Sequence, residues 1–195
     1  MNMPTLTADA PRIRLLSTVT GTQLQGLAAV LADCVDGGAS VSFMQPLAEE
    51  RARAFWRHVA DGVARGERAL LVAEDAEGIV GTVQLVLAQP ENQPHRAEVS
   101  KMLVHRRARR KGIGALLMQA AEQVAREHGK TLLVLDTSSA EAERLYARVG
   151  WTRVGAIPGF ALLPQGGLCA TTFFYRELIE QGPGSDHGAA APQVR

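Results

Sequence analysis

The stretch HRRARRKGIGALLM, residues 105–118, is the most informative part of the chain. The run before it, RAEVSKMLV (96–104), is typical of a strand, and five of residues 105–111 are Arg or Lys. From Ile113 onward, apolar residues recur at the spacing of one helical face. Glycines let a ligand approach the backbone, and the free N–H groups of a first helical turn attract anions. The pattern therefore predicts a phosphate-binding turn between a strand and a helix.

Two common nucleotide-binding turns do not match these residues. A dinucleotide-binding turn needs a small residue at its third position, where Leu117 would block close packing of helix on strand. The nucleotide-binding pattern G-x-x-x-x-G-K-S/T does not occur in the sequence. A nucleic-acid patch and a solvated basic loop remain alternatives, although no aromatic residue is interleaved with the basic ones.

Length and composition predict one globular domain. The chain has 195 residues, 46% of them hydrophobic and 21% charged, and its formal net charge is +1. This balance excludes wholesale disorder and a strongly basic protein that coats nucleic acid. The N-terminus lacks an apolar signal region, and no apolar run approaches the roughly 18 residues of a membrane span. We therefore expect a soluble, cytoplasmic protein with neither a membrane nor a nucleic-acid partner.

The cysteines and histidines do not suggest a metal centre. Cys34 and Cys169 are too few for a disulfide framework or a four-ligand zinc site. The five histidines are scattered and do not pair with the cysteines at ligand spacing. We predict no metal.

The periodicity of apolar residues predicts the element order β-α-α-β-β-β-α-β-α-β-β. The expected fold class is α/β with a mixed α+β sheet, antiparallel early in the chain, and a strand–helix–strand crossover over residues 96–136. A capping box at Ser138–Glu141 predicts the start of the last helix. The predicted domain spans residues 12–180, between a loose N-terminal arm (1–11) and a disordered C-terminal tail (181–195).

Two motifs, in this order and at this spacing, resemble the GNAT N-acetyltransferases. Arg109–Gly114 reads RRKGIG and is similar to the family's Q/R-x-x-G-x-G/A motif, and Leu145-Tyr146 followed by Gly150-Trp151 is similar to its "LY…GF" ending. The resemblance covers about residues 12–178. It implies the GNAT acyl-CoA N-acyltransferase fold, with a central, mostly antiparallel sheet and a β-α-β cofactor crossover.

The resemblance also implies that acetyl-CoA is the co-substrate and that its pyrophosphate is bound at the basic turn. Ser139 stands where family members often have an Asn that bonds the pantetheine arm. The cofactor-binding residues implied are Met102, Leu103, Val104, Arg109, Arg110, Lys111, Gly112, Ile113, Gly114, Ala115 and Ser139.

Further stretches resemble a narrower group, the tabtoxin-resistance acetyltransferases, which detoxify a β-lactam compound. They are GGASVSFM (37–44), HRAEVSKMLV (95–104), LLVLDT (132–137) and TRVGAIPGF (152–160). This resemblance implies direct transfer of acetyl to an amine of a small amino-acid-like or dipeptide-like acceptor, with antibiotic or toxin resistance as a role.

Three residues are the candidates for catalysis. Glu98 is the predicted general base, because strict alternation would place it on one face of its strand with Ser100, Met102 and Val104. The resemblance to the tabtoxin-resistance enzymes implies that Asp136, at the end of the next strand, is a second acid–base group or a partner for the acceptor's ammonium. Tyr146 is the predicted acid for the departing thiolate, because its phenol can give a proton and it matches the family motif. The resemblance further implies that a backbone N–H near Leu103 meets the oxyanion.

Each candidate has a purely structural alternative. Glu98 could pair with a cross-strand cation, Asp136 could cap a turn, and Tyr146 shares an apolar stripe with its neighbours.

The acceptor pocket is expected at residues 37–44, at the 90–95 loop and at the 158–169 loop, with Phe43, Met44 and Phe160 as walls. Acetylation of a protein N-terminus or lysine is the alternative activity. A non-catalytic acyl-CoA-binding or nucleic-acid-binding module is the alternative from another class. A homodimer is compatible with the resemblance, since many family members dimerise.

Overall fold

The computed structural model describes residues 11–178. Three predicted parts of the chain lie wholly or partly outside the described residues. They are residues 1–10 of the predicted arm, the predicted disordered tail (181–195) and the last two residues of the predicted 12–180 domain. In the part of the chain that is described, no helix is both long enough and apolar enough to cross a membrane.

Seven strands and four α-helices follow one another over residues 11–178 in the predicted order. A short 3-10 turn, Arg106–Ala108, separates β4 from α3. The elements are β1 (Arg12–Leu16), α1 (Gly21–Asp36), α2 (Glu49–Ala64), β2 (Arg68–Asp75), β3 (Gly78–Val86), β4 (Arg96–Val104), α3 (Ile113–Glu127), β5 (Leu132–Thr137), α4 (Ala140–Arg148), β6 (Thr152–Leu162) and β7 (Leu168–Glu177).

The strands form one sheet in the order β1-β2-β3-β4-β5-β7-β6. Of the neighbouring pairs in the described chain, only β4 and β5 run parallel, because α3 carries the chain back across the sheet between them. The remaining neighbouring pairs are antiparallel. The predicted mixed sheet, mostly antiparallel with one β-α-β crossover, is confirmed.

Helices cover both faces of this sheet and create two apolar layers. On one face, α1 and α2 pack on Leu70 and Val72 of β2. On the other face, α3 and the Tyr146 side chain of α4 pack on Leu71 and its neighbours. The alternation of β2 side chains between the two layers explains its continuously apolar sequence, because both faces of the strand are buried.

The last two strands differ from the sequence-based expectation. The Gly- and Pro-rich segment after Ile157, predicted as a loop, instead continues β6 to Leu162. The register with β7 shifts between Ile157 and Ala161, where Pro158 and Gly159 lie. Proline is tolerated there because β6 is the edge strand and the shift leaves that position outside the regular ladder.

Two helix starts also differ from expectation. Proline is favoured in the first turn of a helix, so Pro46 predicts a start of α2 near residue 46. Ala48 is extended instead, so α2 begins at Glu49 and Pro46 lies in the preceding loop. The N-cap of α4 is Ser139, not Ser138, and its side-chain oxygen accepts a hydrogen bond from the Ala142 N–H at 3.3 Å.

A buried polar contact ties the end of α4 to α3. The Trp151 indole N–H donates a hydrogen bond to Glu122 Oε1 at 3.0 Å, and both side chains are buried. Trp56 of α2 is also buried. Its indole nitrogen has no hydrogen-bond partner among residues 11–178.

We expect Trp151→Phe to lower the free energy of unfolding by about 1–3 kcal/mol more than Trp56→Phe, because only the first leaves a buried carboxylate oxygen without its donor. Both substitutions remove the same volume from a buried site, and Trp56→Phe also removes an unpaired buried N–H, so the difference compares a bonded with an unbonded indole. Chemical denaturation of the two variants and the parent measures it, and equal losses would contradict this assignment.

Candidate active site

The pairing of β4 with β5 ends early and leaves a slot in the sheet. Their parallel ladder runs only from Arg96 opposite Leu132 to Glu98 opposite Val134. Beyond it, β4 stays paired with β3 as far as Val104, and β5 stays paired with β7 as far as Thr137. Backbone groups that border the slot therefore lack a strand partner within residues 11–178, and buried peptide groups require a partner of some kind.

A β-bulge at Lys101 reverses the faces of β4. Lys101 has φ 52°, and the register with β3 shifts between Thr82 and Gln84. Val99, which precedes the bulge, packs in the layer of α3. Leu103 lies four residues later and would share that face in a regular strand, but it packs in the layer of α1 and α2.

The predicted common face of Glu98, Ser100, Met102 and Val104 is therefore wrong. The extra residue inverts the alternation, so that Glu98 and Ser100 lie on the α1–α2 side. Met102 and Val104 pack against the α3–α4 layer.

The backbone direction at the end of β4 shows which amide near Leu103 borders the slot. The His105 N–H donates to Val80 O at 2.9 Å, and Leu103 lies opposite Thr82. Because an antiparallel ladder alternates between bonded and non-bonded pairs, the Leu103 amide faces β3 and the Val104 amide faces the slot. The Leu103 N–H is thus occupied within the sheet, and Val104 is the neighbour that can serve an oxyanion.

The turn that follows β4 exposes the start of α3. Gly112 is the N-cap residue with φ 78°, and within the described chain no side chain caps the helix. A Cβ at Gly112 would meet nothing within 4 Å among residues 11–178, so the space in front of the turn is open. Arg110 also has a positive φ, 64°. The first-turn amides of α3 therefore point into an open, positively polarised site that suits a phosphate oxygen.

Two of the five basic residues in this turn form internal ion pairs. The Arg106 side chain donates to Asp33 at 2.8 Å, which ties the turn to α1. Arg107 donates two hydrogen bonds to Asp75, at 2.6 Å and 3.1 Å, and this contact holds the pKa of Asp75 below its usual value. These charges hold the turn in place.

A third basic residue, Arg109, also has an internal role. Its Nε donates to the Val104 carbonyl at 3.1 Å and thereby fixes the end of β4. Arg110 and Lys111 are exposed and form no ion pair among residues 11–178. Arg109, Arg110 and Lys111 are the cations predicted to bind phosphate. Among residues 11–178, Arg109 is engaged with the Val104 carbonyl, whereas the charges of Arg110 and Lys111 are available to a ligand.

The neighbouring motif residues hold α3 against α4. A Cβ at Gly114 would lie 2.9 Å from Leu145 Cδ2, so this position stays small to allow the packing. Ile113 is buried, and Ala115 already donates its N–H back to the Gly112 carbonyl at 3.1 Å. The Ser139 oxygen accepts the helix-capping hydrogen bond of α4, which leaves its hydroxyl hydrogen free to donate.

A cavity of about 250 Å³, here called the Asp136 cavity, lies at the end of β5. Asp136 Oδ2 accepts a hydrogen bond from the Thr171 hydroxyl of β7 at 2.8 Å, which orients the carboxylate. The cavity brings together Phe43, Met44 and Phe160, and the 90–95 loop is not part of its wall. Its lining consists of Ser40, Ser42, Phe43, Met44, Asp136, Ser138, Phe160, Ala161, Leu162 and Thr171.

Lys101 is a residue of this region that sequence reasoning missed. Its ammonium lies 3.3 Å from Ser42 Oγ and over the ring of Phe55, 5.6 Å from the centroid. Burial lowers the pKa of Lys101, and the nearby carboxylates of Asp136 and Glu98 oppose this shift. Strict alternation along β4 would have directed this side chain to the opposite face, and the sequence carries no signal of the bulge.

Tyr146 lies in the layer between α4 and the sheet, 4% exposed. Its ring packs against Trp151 and Phe174. Burial raises the pKa of Tyr146, and the Asp136 charge adds to the shift. The phenol therefore stays protonated at neutral pH and can donate a proton.

Glu98 is half-buried at the closed end of the slot, with no side-chain hydrogen bond to other residues of the 11–178 range.

Within residues 11–178, no group of three or more His, Cys, Asp or Glu side chains is arranged to hold a metal ion. Both cysteines are free thiols.

Comparison with solved structures shows the same fold in several acetyltransferases. The ribosomal-protein-alanine N-acetyltransferase of Brucella melitensis is 24% identical, with a TM-score of 0.71 over 85% of this chain and 99% of that one. YncA of Salmonella typhimurium, solved with acetyl-CoA, is 19% identical, with a TM-score of 0.72 over 91% of this chain and 99% of its own.

A phosphinothricin acetyltransferase of Sinorhizobium meliloti, solved with acetyl-CoA, is 17% identical, with a TM-score of 0.71 over 94% of this chain and 96% of its own. The model of the acetyltransferase (GNAT) family matches residues 39–151, which is more than half of the chain and includes the slot, the basic turn and α4. The chain therefore belongs to the GNAT acetyltransferase family.

Proposed function

We propose that this protein transfers the acetyl group of acetyl-CoA directly to the amine of a small amino-acid-like or dipeptide-like acceptor. The observation that carries the proposal is the slot between β4 and β5. Its β4 border leads into the exposed first turn of α3, and its β5 border carries Asp136 and the cavity. One opening thus adjoins both an anion site for the cofactor and a pocket for the acceptor.

The residues at the basic turn fit the charge and shape of the cofactor. Arg110 and Lys111 supply free cations, and the first-turn amides from Gly112 supply donors for a pyrophosphate. Backbone groups of β4 and β5 that border the slot lack strand partners within residues 11–178, as an extended pantetheine arm requires, and the Ser139 hydroxyl can add a donor. Acetyl-CoA supplies the thioester carbon that the amine attacks.

The proton of the attacking amine needs an acceptor, since primary amines are largely charged at neutral pH. We assign this role to Glu98, which lies where the slot closes and makes no side-chain hydrogen bond within residues 11–178. Asp136 is the alternative base, but its hydrogen bond from Thr171 suits it better to hold the acceptor's ammonium. The Val104 N–H stabilises the oxyanion that forms when the amine adds to the thioester.

Collapse of that intermediate breaks the carbon–sulfur bond and leaves a thiolate that needs a proton. Tyr146 is the proposed donor, because its phenol carries a proton at neutral pH and it stands at the tyrosine of the motif that resembles the family's "LY…GF" ending.

Several features support a small acceptor and a role in detoxification. A cavity of about 250 Å³ is of the size of an amino acid or dipeptide rather than a folded protein segment. The resemblance to tabtoxin-resistance enzymes and the shared fold of a phosphinothricin acetyltransferase support an acceptor with an amino-acid skeleton. The protein-modifying alternative has in its favour only the fold shared with the Brucella enzyme.

The direct test measures thiol release from acetyl-CoA with amino acids, dipeptides and lysine-containing peptides. We expect turnover with members of the first two groups and N-acetylated products by mass spectrometry. Turnover confined to long peptides or proteins would contradict the proposed acceptor.

We expect Arg110→Ala to weaken acetyl-CoA binding by about 5- to 20-fold, the scale of one charge-assisted hydrogen bond. Acetyl-pantetheine, which lacks the pyrophosphate, should bind the variant and the parent equally. Arg57→Ala is the control outside the turn, since Arg57 pairs with Glu50 on the exposed face of α2 and should leave cofactor affinity unchanged. Calorimetry measures the affinities, and parental affinity in Arg110→Ala would refute the role assigned to Arg110.

We expect Glu98→Gln to reduce kcat by about 10²- to 10⁴-fold with little change in acetyl-CoA affinity, because the amide keeps the shape and cannot take the proton. The defect should shrink as pH rises, since more of the acceptor is then neutral. The pH–rate profiles of Glu98→Gln and Asp136→Asn with one accepted amine decide between the carboxylates. If only Asp136→Asn loses the acidic limb of the profile, Asp136 is the base.

We expect Tyr146→Phe to lower kcat by a factor that stays constant from about pH 6 to pH 9, because the raised pKa keeps the phenol from titrating in this range. Tyr175→Phe, which removes the other phenol of the chain, should retain parental turnover. A Tyr146→Phe enzyme with full activity would assign Tyr146 to packing alone.

A further inference from the structure

Two residues with a left-handed backbone, Ser42 and Lys101, lie beside the Asp136 cavity. In residues 11–178, three residues other than glycine have a positive φ: Ser42, Lys101 and Arg110. Arg110 belongs to the cofactor turn, and the other two contact each other through Lys101 Nζ and Ser42 Oγ at 3.3 Å. Left-handed backbone at a residue with a side chain is unfavourable, and it persists where the surrounding structure needs that geometry.

The bulge gives Lys101 a position that a regular strand would not. Regular alternation would direct its side chain towards the α3 layer, beside Val99. The bulge turns it instead towards α2 and the loop between α1 and α2, where it meets Phe55 and Ser42. Ser42 lines the Asp136 cavity, so the ammonium is held at the cavity's edge.

The Lys101 ammonium has N–H donors that no residue in the 11–178 range accepts. An ammonium group carries three N–H donors, and among residues 11–178 only Ser42 accepts a side-chain hydrogen bond from it. The Asp136 and Glu98 carboxylates act on it electrostatically without forming an ion pair within 4.0 Å. A half-buried charge in this state is costly unless an anion joins it. The Ser42 hydroxyl, which accepts from Lys101, keeps its own hydrogen for the same anion.

We propose that Lys101 and Ser42 form an anchor for the carboxylate of the acceptor, so that this enzyme requires an amino acid or short peptide with a free carboxylate. The inference rests on the proposed function and narrows it. The two carboxylates Glu98 and Asp136 attract the acceptor's ammonium, and Lys101 with Ser42 attracts its carboxylate. The cavity is thus complementary to a zwitterion.

This charge arrangement separates classes of acceptor. A simple alkylamine or an arylamine offers no anion to Lys101 and leaves the ammonium unpaired. A protein N-terminus is disfavoured for the same reason, because its first carboxyl group is consumed in a peptide bond.

The test compares matched acceptors that differ only in the carboxylate. Each amino acid or dipeptide accepted by the parent enzyme is assayed beside its C-terminal carboxamide, with saturating acetyl-CoA. We expect kcat/KM to be about 10- to 100-fold higher for the free acid, the scale of one hydrogen-bonded ion pair. This comparison needs no substitution, so a variant that fails to fold cannot obscure it.

Variants then assign the preference to the anchor. Lys101→Met should lower kcat/KM for the free acid by a larger factor than for the carboxamide, so that the preference for the free acid is lost. Lys101→Arg keeps the charge and should retain part of the preference, and Ser42→Ala should reduce it by a smaller factor. Lys130→Met is the control, since Lys130 bonds the Leu87 and Pro94 carbonyls outside the cavity and should leave the preference intact.

Two negative results have different meanings. Equal kcat/KM for acids and carboxamides in the parent, or equal losses on both in Lys101→Met, would overturn the anchor and leave the acetyltransferase assignment standing. Failure of every amine to release thiol from acetyl-CoA, with the cofactor bound normally in calorimetry, would overturn the proposed function and the anchor with it.

Discussion

The early parting of β4 from β5 is the feature on which the rest of the site depends. These strands are the one parallel pair among the described strands, and they share only three residue pairs before they separate. A parallel pair requires a long crossover, here α3, and the turn into α3 necessarily begins beside the slot. The same separation therefore exposes backbone groups for an extended ligand and places a helix N-terminus next to them.

The bulge at Lys101 makes the two sides of β4 serve different purposes. Glu98 and Ser100 lie on the α1–α2 side, whereas Met102 and Val104 lie on the side of α3. In the proposed mechanism, one strand in this way presents a carboxylate to the acceptor and a backbone amide to the reacting thioester. The cost is a lysine in a left-handed conformation, which packing against Phe55 and contact with Ser42 maintain.

The basic residues of the turn fall into two groups: those that pair within the protein and those whose charge is available to a ligand. Arg106 and Arg107 neutralise Asp33 and Asp75, and Arg109 holds a strand-end carbonyl. These contacts fix the turn before any ligand binds, so little ordering is required when an anion arrives. The two exposed cations that remain, Arg110 and Lys111, are those with charge available for a phosphate.

Local sequence was enough to predict the element order and the basic turn, because periodicity, glycine positions and helix caps act over a few residues. The motif residues from Gly112 to Gly114 and the Leu145-Tyr146 pair could be recognised in the same way, and they led to the correct family. The helix limits were approximate where a cap or an extended residue decides the start, as at Ser139 and Ala48.

Tertiary structure alone decided which basic residues are free, which way each side chain of β4 points and what surrounds Lys101. These properties depend on pairings between residues far apart in the chain, such as Arg106 with Asp33 and Lys101 with Ser42. A bulge adds one residue to a ladder without any local sequence mark, and it inverts every side chain beyond it. For this reason the sequence-based prediction put Glu98 on the same face as Met102, which is wrong, and it gave no indication that Lys101 lies beside the Asp136 cavity.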